Sequence, residues 1–299
     1  MRSWISVLLL TGCASSVRQA PPPPAPPGAP EVRAEEVPTS PMVDGMENEG
    51  AWSEAPETEV AFEGAASLAC RVKAVVHRGT LYLRLRWKDT SEDRKTAADR
   101  SRDWSYIGPR GTWDPRSIGD RVSLTFPILG PFSEGLDAPV ESSKDIWRWD
   151  AIMSDRLGHA RDGVLTRTLE GRPEGGDVGA MRAPGGGILL DYLIDDEGYP
   201  EIWRAPPTGS AADVLARGQW ENGEWTVEFA RALSTGHADD RDFTGMRMCP
   251  FRVTIADLSA PSPLAEKSSP ILNLLLPPPL PEDRQGPFPE PRGGQPSRR

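Results

Sequence analysis

Two tryptophans lie close together in the stretch KDIWRWDA, where Trp147 and Trp149 flank Arg148. On a β-strand this spacing places both indole rings on one face of the sheet and Arg148 on the other. Paired indoles either fill a hydrophobic core or form a platform for a flat ligand such as a sugar or a porphyrin. The residues alone leave both interpretations open.

The chain lacks the sequence motifs of the common enzyme classes. Its three histidines show no H-x-x-x-H spacing, and it has no CxxC pair, CxxCH haem attachment site, P-loop, G-x-S-x-G or dinucleotide fingerprint. The acidic run DDRD at 239–242 is either a calcium site or, as we favour, a solvated turn. We therefore predict a non-catalytic protein, and the formal net charge of −10 argues against a nucleic-acid partner.

The two cysteines in the body of the chain, Cys70 and Cys249, have two interpretations. In an exported protein they form a disulfide, and otherwise they are small buried hydrophobic residues. The sequence gives no distance between them, so both alternatives stay open.

Strand patterns dominate the centre of the chain. RVKAVVHRGTLYLRLRWKD predicts a hairpin that turns at Arg78-Gly79, and WENGEWTVEF predicts a second that turns at Asn222-Gly223. Further strands are predicted in DRVSLTFPI, KDIWRWDA, GILLDYLI and CPFRVTIADL, and no amphipathic helix is convincing. This pattern predicts an all-β fold, an antiparallel β-sandwich, with long loops at 90–119 and 154–187.

The N-terminus has the features of an export signal. MRSWISVLLLTGCAS has a positive charge, then an apolar run too short to span a bilayer, then LTGC, which resembles the bacterial lipobox. We predict a lipoprotein signal peptide over 1–13 with Cys13 as the lipidated residue. Because no aspartate follows the cysteine, we expect attachment to the outer membrane of a bacterial cell envelope, facing the periplasm.

Proline-rich segments flank the predicted domain. Residues 14–42 contain APPPPAPPGAP and predict a disordered tether, and residues 277–299 predict a disordered tail. The folded domain is then predicted at 43–276.

Several segments, taken in order, resemble a known family. VDGMENEGAW and VKAVVHRGTLYLRLRWKD resemble the opening and first hairpin of DOMON-like and family 9 carbohydrate-binding sandwiches. The more specific segments, KDIWRWDAIMSDRLGHARDG and WENGEWTVEFARALSTGHADDRDF, are similar to the haem-binding (gamma) subunit of ethylbenzene dehydrogenase and its dimethyl-sulfide dehydrogenase relatives. The resemblance covers most of 43–276.

This resemblance implies one b-type haem held between methionine and lysine axial ligands. Lys267, after the strand FRVTIAD, matches the implied position of the lysine, although an exposed loop lysine is its ordinary interpretation. The loop implied for the methionine contains none, so we take Met153 as the substitute, and Trp147 and Trp149 then flank the cofactor. The alternatives for the methionine are Met181, Met246 and Met248.

The resemblance also implies a role in electron transfer. The expected partners are the membrane, through the lipid anchor, and a redox protein or the subunits of a molybdenum enzyme. Two other functions remain open on the sequence. One is a sugar-binding lipoprotein of similar shape, and the other is a structural lipoprotein without a ligand.

Overall fold

The structure is a computed structural model that describes residues 26–46, 50–62, 65–93, 120–130, 132, 142–151, 154–167, 180–182, 188–190, 207–257 and 266–278. These residues form one short α-helix, α1 (Gly50–Ser53), two 3₁₀ helices (Asp155–Leu157 and Gly209–Ala212) and fourteen strands. The strands are β1 (Glu31–Glu36), β2 (Thr58–Phe62), β3 (Ala65–His77), β4 (Thr80–Lys88), β5 (Arg121–Leu129), β6 (Ser142–Asp150), β7 (Arg161–Arg167), β8 (Ala180–Arg182), β9 (Ile188–Leu190), β10 (Leu215–Glu221), β11 (Glu224–Ala232), β12 (Met248–Ala256), β13 (Lys267–Ser268) and β14 (Leu272–Leu275). None of the described helices is long and apolar enough to cross a membrane.

Twelve of the strands belong to one sheet. Its path is β10-β11-β4-β3-β1-β14-β12-β5-β6-β7, with β2 paired to β3 and β13 paired to β12. Strands β8 and β9 form a separate two-stranded sheet. The all-β prediction is confirmed. The antiparallel prediction is wrong in one place, because β1 runs parallel to both of its neighbours, β3 and β14.

Strand β1 also corrects the predicted start of the domain. It lies inside the segment 14–42 that the sequence assigned to a tether, yet it sits in the middle of the sheet. Its residues alternate, with Val32 and Ala34 buried and Glu31 and Arg33 directed away from the core. Two apolar residues in a segment between prolines are a weak sequence signal for a strand. The strands that bury Val32 and Ala34 are distant from them in the chain.

Both predicted hairpins are confirmed. Strands β3 and β4 join at Arg78 and Gly79, and β10 and β11 join at Asn222 and Gly223. All four residues have positive φ, as a two-residue hairpin turn of type I′ requires. The predicted loop at 154–187 is wrong in part, because it contains β7.

The sheet curls until its two edge strands meet. The residues before β7 pair with the beginning of β10: Ala160 N–H donates to the Val214 carbonyl over 3.0 Å, and Ala216 N–H donates to the Gly158 carbonyl over 3.1 Å. The carboxylate of Asp155 strengthens this junction, because its Oδ1 accepts from Gly218 N–H at 2.7 Å. One continuous curled sheet therefore encloses the core, where the sequence predicted two packed sheets.

The core contains both cysteines as free thiols. Cys70 on β3 and Cys249 on β12 are each fully buried within the same hydrophobic cluster. Burial raises the pKa of each thiol to about 12. Of the two interpretations of these residues, the structure agrees with buried hydrophobic residues and not with a disulfide.

Candidate functional site

The curled sheet has two ends. We call the end at which β4, β6, β10 and β12 finish the loop end, because the chain leaves the sheet there at residues 89, 151 and 257. We call the opposite end, which carries the turn at Arg78-Gly79, the turn end. The predicted site residues and the buried charges are distributed between these two ends.

Three tryptophans close the core at the loop end. Trp87 and Trp225 are opposite each other on β4 and β11, with ring centroids 6.2 Å apart. Trp149 from β6 stands edge-on to both, at 6.4 Å from Trp87 and 5.0 Å from Trp225. The three rings are buried, so they join the two halves of the curled sheet from inside.

Above these rings lies the loop-end acidic cluster, which consists of Asp89, Asp120 and Asp257. Each offers a carboxylate oxygen, and the three oxygens lie within 4.8 Å of one another. The three residues directly follow β4, precede β5 and follow β12, so strand ends far apart in sequence converge here. Asp120 Oδ2 accepts from Trp225 Nε1–H at 3.0 Å and from Asp93 N–H at 2.9 Å.

Asp89 is the most perturbed member of this cluster. Burial raises its pKa to about 7, and the carboxylates of Asp120 and Asp257 act in the same direction. The hydrogen bond that its Oδ1 accepts from Ser91 N–H, 3.0 Å long, opposes the shift. Its Oδ2 is buried and has no hydrogen-bond donor.

Lys267 lies at the same end of the sheet. It pairs with Ile255 on β12, Ile255 pairs with Val122 on β5, and Val122 pairs with Trp149 on β6. Residues directly opposite in an antiparallel ladder project from the same face of the sheet. Since Ile255, Val122 and Trp149 are buried in the core, the register places the Lys267 side chain on the inner face.

Strand β13 is held in place by an ion pair next to Lys267. Arg121 on β5 donates from Nη2 to Glu266 Oε1 over 2.7 Å. The half-buried Lys267 therefore lies on a strand that pairs with β12 and contacts β5 at the loop end.

The other predicted ligands do not all reach this place. Met248 is the first residue of β12 and pairs with Leu275 at the turn end, and Met246 contacts Arg241 there through its sulfur at 3.0 Å. The side chains of Met153 and Met181 lie outside the described residues, as does Cys13. Trp147 and Trp149 are both buried in the core.

Trp147 belongs to a second buried group, at the turn end. Its ring lies 4.7 Å from the guanidinium carbon of Arg231 and 4.7 Å from the ring centroid of Phe126. Of the predicted tryptophan pair, only Trp149 lies at the level of Lys267.

Around Arg231 lies the turn-end acidic cluster, which consists of Asp145, Asp162 and Asp240. Their carboxylate oxygens also lie within 4.8 Å of one another. Arg231 Nη1 donates to Asp145 Oδ2 and lies 3.5 Å from Asp240 Oδ1. Burial lowers the pKa of Arg231, but the three carboxylates outweigh it and the pKa is raised, so this cation stays charged.

The turn-end cluster corrects one expectation. Asp240 and Arg241, in the run DDRD, are each only 2% exposed, so the prediction of a solvated turn is wrong for them. Asp242 is exposed as expected. The buried pair is held by contacts that no local pattern reveals, since Arg241 N–H donates to Asp145 Oδ2 over 2.8 Å.

Sequence reasoning missed both acidic clusters. A weak signal existed at the loop end, where an aspartate directly follows RLRWK, precedes RVSLTF and follows FRVTIA. Aspartates that border three strands are candidates for convergence only once the strand order is known. At the turn end a signal also existed, because Arg231 in the strand WTVEFARA is in phase with the inward-facing Trp225, Val227 and Phe229.

Comparison with known proteins gives one family. The family described as "Ethylbenzene dehydrogenase" matches residues 191–250, which include β10 and β11. No curated protein matches the chain.

Solved structures give weak similarity over a large part of the chain. A family 9 carbohydrate-binding module from Caldicellulosiruptor kristjanssonii in complex with cellotriose is 10% identical, with a TM-score of 0.44, and the match covers 87% of this chain and all of the module. A family 9 carbohydrate-binding module from the same organism in complex with glucose is 11% identical, with a TM-score of 0.42, and the match covers 82% of this chain and 95% of the module. Similarity at this level supports no conclusion about a ligand of this chain.

Proposed function

We propose that this chain is an exported, lipid-anchored electron-transfer protein that binds haem b at the loop end of its sheet. The observation that carries the proposal is the position of Lys267, on the inner face and in one register row with Trp149. The match of residues 191–250 to the ethylbenzene dehydrogenase family supports it, because haem binding is what the sequence resemblance implies.

The described residues fit one axial position of such a cofactor. Lys267 would hold the iron through a neutral amine, as metal ligation by lysine requires. Met248 cannot hold the same iron as Lys267, because the seven residue steps along β12 from Met248 to Ile255 span about 24 Å. Of the candidate methionines, Met153 and Met181 remain, and we propose Met153.

The tryptophans at the loop end would serve this site indirectly. Haem, when bound, supplies a one-electron redox centre whose potential depends on its axial ligands and on burial. Trp149, packed against Trp87 and Trp225, gives that end of the core an apolar floor that excludes water. Electrons would pass to a redox partner at the membrane, such as a molybdenum-enzyme subunit.

A haemin titration tests this function. The full-length chain, purified in detergent, is expected to give a low-spin b-type spectrum with a sharp Soret band. Lys267→Ala is expected to leave the iron partly open to water and to shift the spectrum to high-spin. Lys88→Ala, an exposed lysine at the same end, is the matched control and should bind as the parent does.

Two results of that titration would overturn the haem proposal. One is the absence of any Soret band in the parent protein. The other is an unchanged low-spin spectrum in Lys267→Ala, which would remove the lysine from the iron.

The lipid anchor is a separate part of the proposal. If Cys13 is lipidated, Cys13→Ala should leave an unprocessed precursor that fails to take up radiolabelled palmitate. Normal labelling of the variant would contradict the assignment.

A polar groove favours sugar binding as the second candidate function. This groove of about 490 Å³ lies beside the β10–β11 hairpin. The polar side chains that line it include Arg86, Gln219, Glu221, Glu224 and Thr226. Such donors and acceptors suit the hydroxyl groups of a sugar.

Affinity electrophoresis in gels containing soluble polysaccharides tests the groove. Retardation that Gln219→Ala abolishes would favour sugar binding. If neither haem nor polysaccharide binds, both candidate functions fail and a structural role without a ligand is the proposal that remains.

A further inference from the structure

We propose that the loop-end acidic cluster, Asp89, Asp120 and Asp257, is a binding site for a divalent cation, and that Ca²⁺ is the ion it fits. This site is separate from the haem proposal, because it needs neither Lys267 nor a methionine. It would join the end of β4 to the ends of the neighbouring strands β5 and β12, which lie in another part of the curled sheet.

The spacing of the carboxylates fits this ion. Ca²⁺ binds oxygen at about 2.3–2.6 Å, so two oxygens on opposite sides of it lie about 4.6–5.2 Å apart. The three carboxylate oxygens lie within 4.8 Å of one another and can therefore contact one Ca²⁺ together. Mg²⁺ usually keeps several of its waters and is seldom held by an all-protein set of ligands, so Ca²⁺ is the better match to three converging carboxylates. Hard oxygen donors also exclude the metals that prefer nitrogen or sulfur.

A second observation points to a missing ligand at this place. Asp89 is 98% buried, since its exposure is 2%, and its Oδ2 has no hydrogen-bond donor. A buried carboxylate oxygen without a partner is costly, and most such oxygens in proteins are satisfied by a donor or a cation. Asp89 shares this small space with Asp120 and Asp257, because one of its carboxylate oxygens lies within 4.8 Å of theirs.

The second carboxylate of the site is oriented in advance. Asp120 Oδ2 accepts from Trp225 Nε1–H and from Asp93 N–H, both within 3.0 Å. Trp225 is itself fixed between Trp87 and Trp149. A cation bound here would lie next to a buried tryptophan, which provides a spectroscopic reporter.

Terbium luminescence and thermal melting test the site on the full-length chain, freed of metal with EDTA and without haem. Tb³⁺ replaces Ca²⁺ at oxygen sites, and excitation of the nearby tryptophans is expected to sensitise its emission. Added Ca²⁺ should displace Tb³⁺ and raise the melting temperature, because a ligand that binds only the folded state stabilises it. Mg²⁺ should do so more weakly.

Two variants and one control locate the effect. Asp257→Asn, at the half-buried member of the cluster, is expected to weaken Ca²⁺ binding by about tenfold or more while the protein still folds. Asp240→Asn, in the turn-end cluster, is the matched control and should bind Ca²⁺ as the parent does. Asp89→Asn should lose Tb³⁺ sensitisation even where its stability is changed.

The proposal is overturned if Ca²⁺ changes neither the Tb³⁺ emission nor the melting temperature of the parent protein. It is also overturned if Asp257→Asn and Asp89→Asn bind Ca²⁺ as tightly as Asp240→Asn does. Haem binding by the same preparation bears on neither result.

Discussion

The two acidic clusters of this protein have the same composition but different partners. Each brings three aspartate carboxylates within 4.8 Å, one at the loop end and one at the turn end. At the turn end, the buried guanidinium of Arg231 contacts Asp145 and lies 3.5 Å from Asp240. At the loop end, Asp120 and Asp89 accept from the neutral N–H groups of Trp225, Asp93 and Ser91.

The difference indicates which end of the molecule is structural and which can serve a ligand. Buried carboxylate oxygens without a hydrogen-bond donor occur in both clusters: Asp145 Oδ1 and Asp162 Oδ2 at the turn end, and Asp89 Oδ2 at the loop end. At the turn end the buried cation Arg231 offsets the charge of these carboxylates when the chain folds. At the loop end the donor to Asp89 is the neutral N–H group of Ser91, so a bound cation would stabilise this carboxylate. The loop end is also the place where Lys267 and Trp149 lie, so both of our proposals concern the same end.

The largest effect is expected at the turn end, for Arg231→Met. Removing the guanidinium leaves Asp145, Asp162 and Asp240 buried without their cation, which should cost about 3–5 kcal/mol of unfolding free energy. Chemical denaturation at pH 7 measures the loss. It should shrink at pH 4, where the carboxylates can bind protons.

The matched control is Arg121→Met, which removes an arginine at the loop end. Its partner Glu266 has a side chain 40% exposed, so the change should stay below about 1 kcal/mol. An equal loss of unfolding free energy in both variants would show that the turn-end acidic cluster does not depend on Arg231 for its stability.

The next largest effect is expected for Gly218→Ala on β10. A Cβ at this position would lie 2.2 Å from Cζ2 of the buried Trp149 ring, so the junction between β6 and β10 would have to open. Overpacking of this kind costs about 1–3 kcal/mol. Gly50→Ala meets no atom within 4 Å and is the control. Thermal melting compares the two, and equal melting points would contradict the closed junction.

A smaller effect concerns the pH dependence of stability. The pKa of Asp240 is raised to about 7, first by burial and further by Asp145, while Arg231 opposes the shift. The folded state therefore binds more protons than the unfolded state between about pH 4 and pH 7, so stability should fall as the pH rises through this range.

The variant Asp240→Asn should flatten that pH profile by an amount on the order of 2 kcal/mol. Denaturation midpoints from pH 4 to pH 8 measure it. An equally steep profile in the variant would assign the slope to other groups.

The smallest effect uses the two free thiols as reporters of the two ends. Cys70 pairs with Trp87 near the loop end, and Cys249 lies near the turn end opposite Leu274. Burial raises the pKa of both to about 12, so neither should react with iodoacetamide at pH 8 in the folded protein. Peptide mass spectrometry should find Cys249 labelled before Cys70 in Arg231→Met. Labelling in the reverse order would contradict this prediction, because it would show that the loop end opens before the turn end.

The sequence predicted the parts of the fold that depend on local chemistry. The turns Arg78-Gly79 and Asn222-Gly223, and the alternating strands that flank them, follow from residue types that favour positive φ and from period-two hydrophobicity. Strand β1 could not be predicted in the same way, because Val32 and Ala34 become core residues only through parallel pairing with β3 and β14.

The candidate site was predictable only in fragments. Lys267 was predicted from the family resemblance alone. The pairing of Lys267 with Ile255 places it on the inner face of the sheet, and no sequence pattern shows this pairing. The loop-end carboxylates come from positions 89, 120 and 257, and their convergence depends on strand order. The spacing of Trp147 and Trp149 correctly predicted that both rings lie on one face of the sheet. In the structure the two rings have different neighbours, Phe126 for Trp147 and Trp225 for Trp149.

The most direct test of the proposed function is the reduced-minus-oxidised absorption spectrum of the full-length protein. The protein is extracted in detergent from the membranes of bacteria that were grown with added haem. We expect the α and Soret bands of a six-coordinate b-type haem, and a pyridine haemochrome that shows close to one haem per chain. A colourless protein from haem-replete membranes would contradict it.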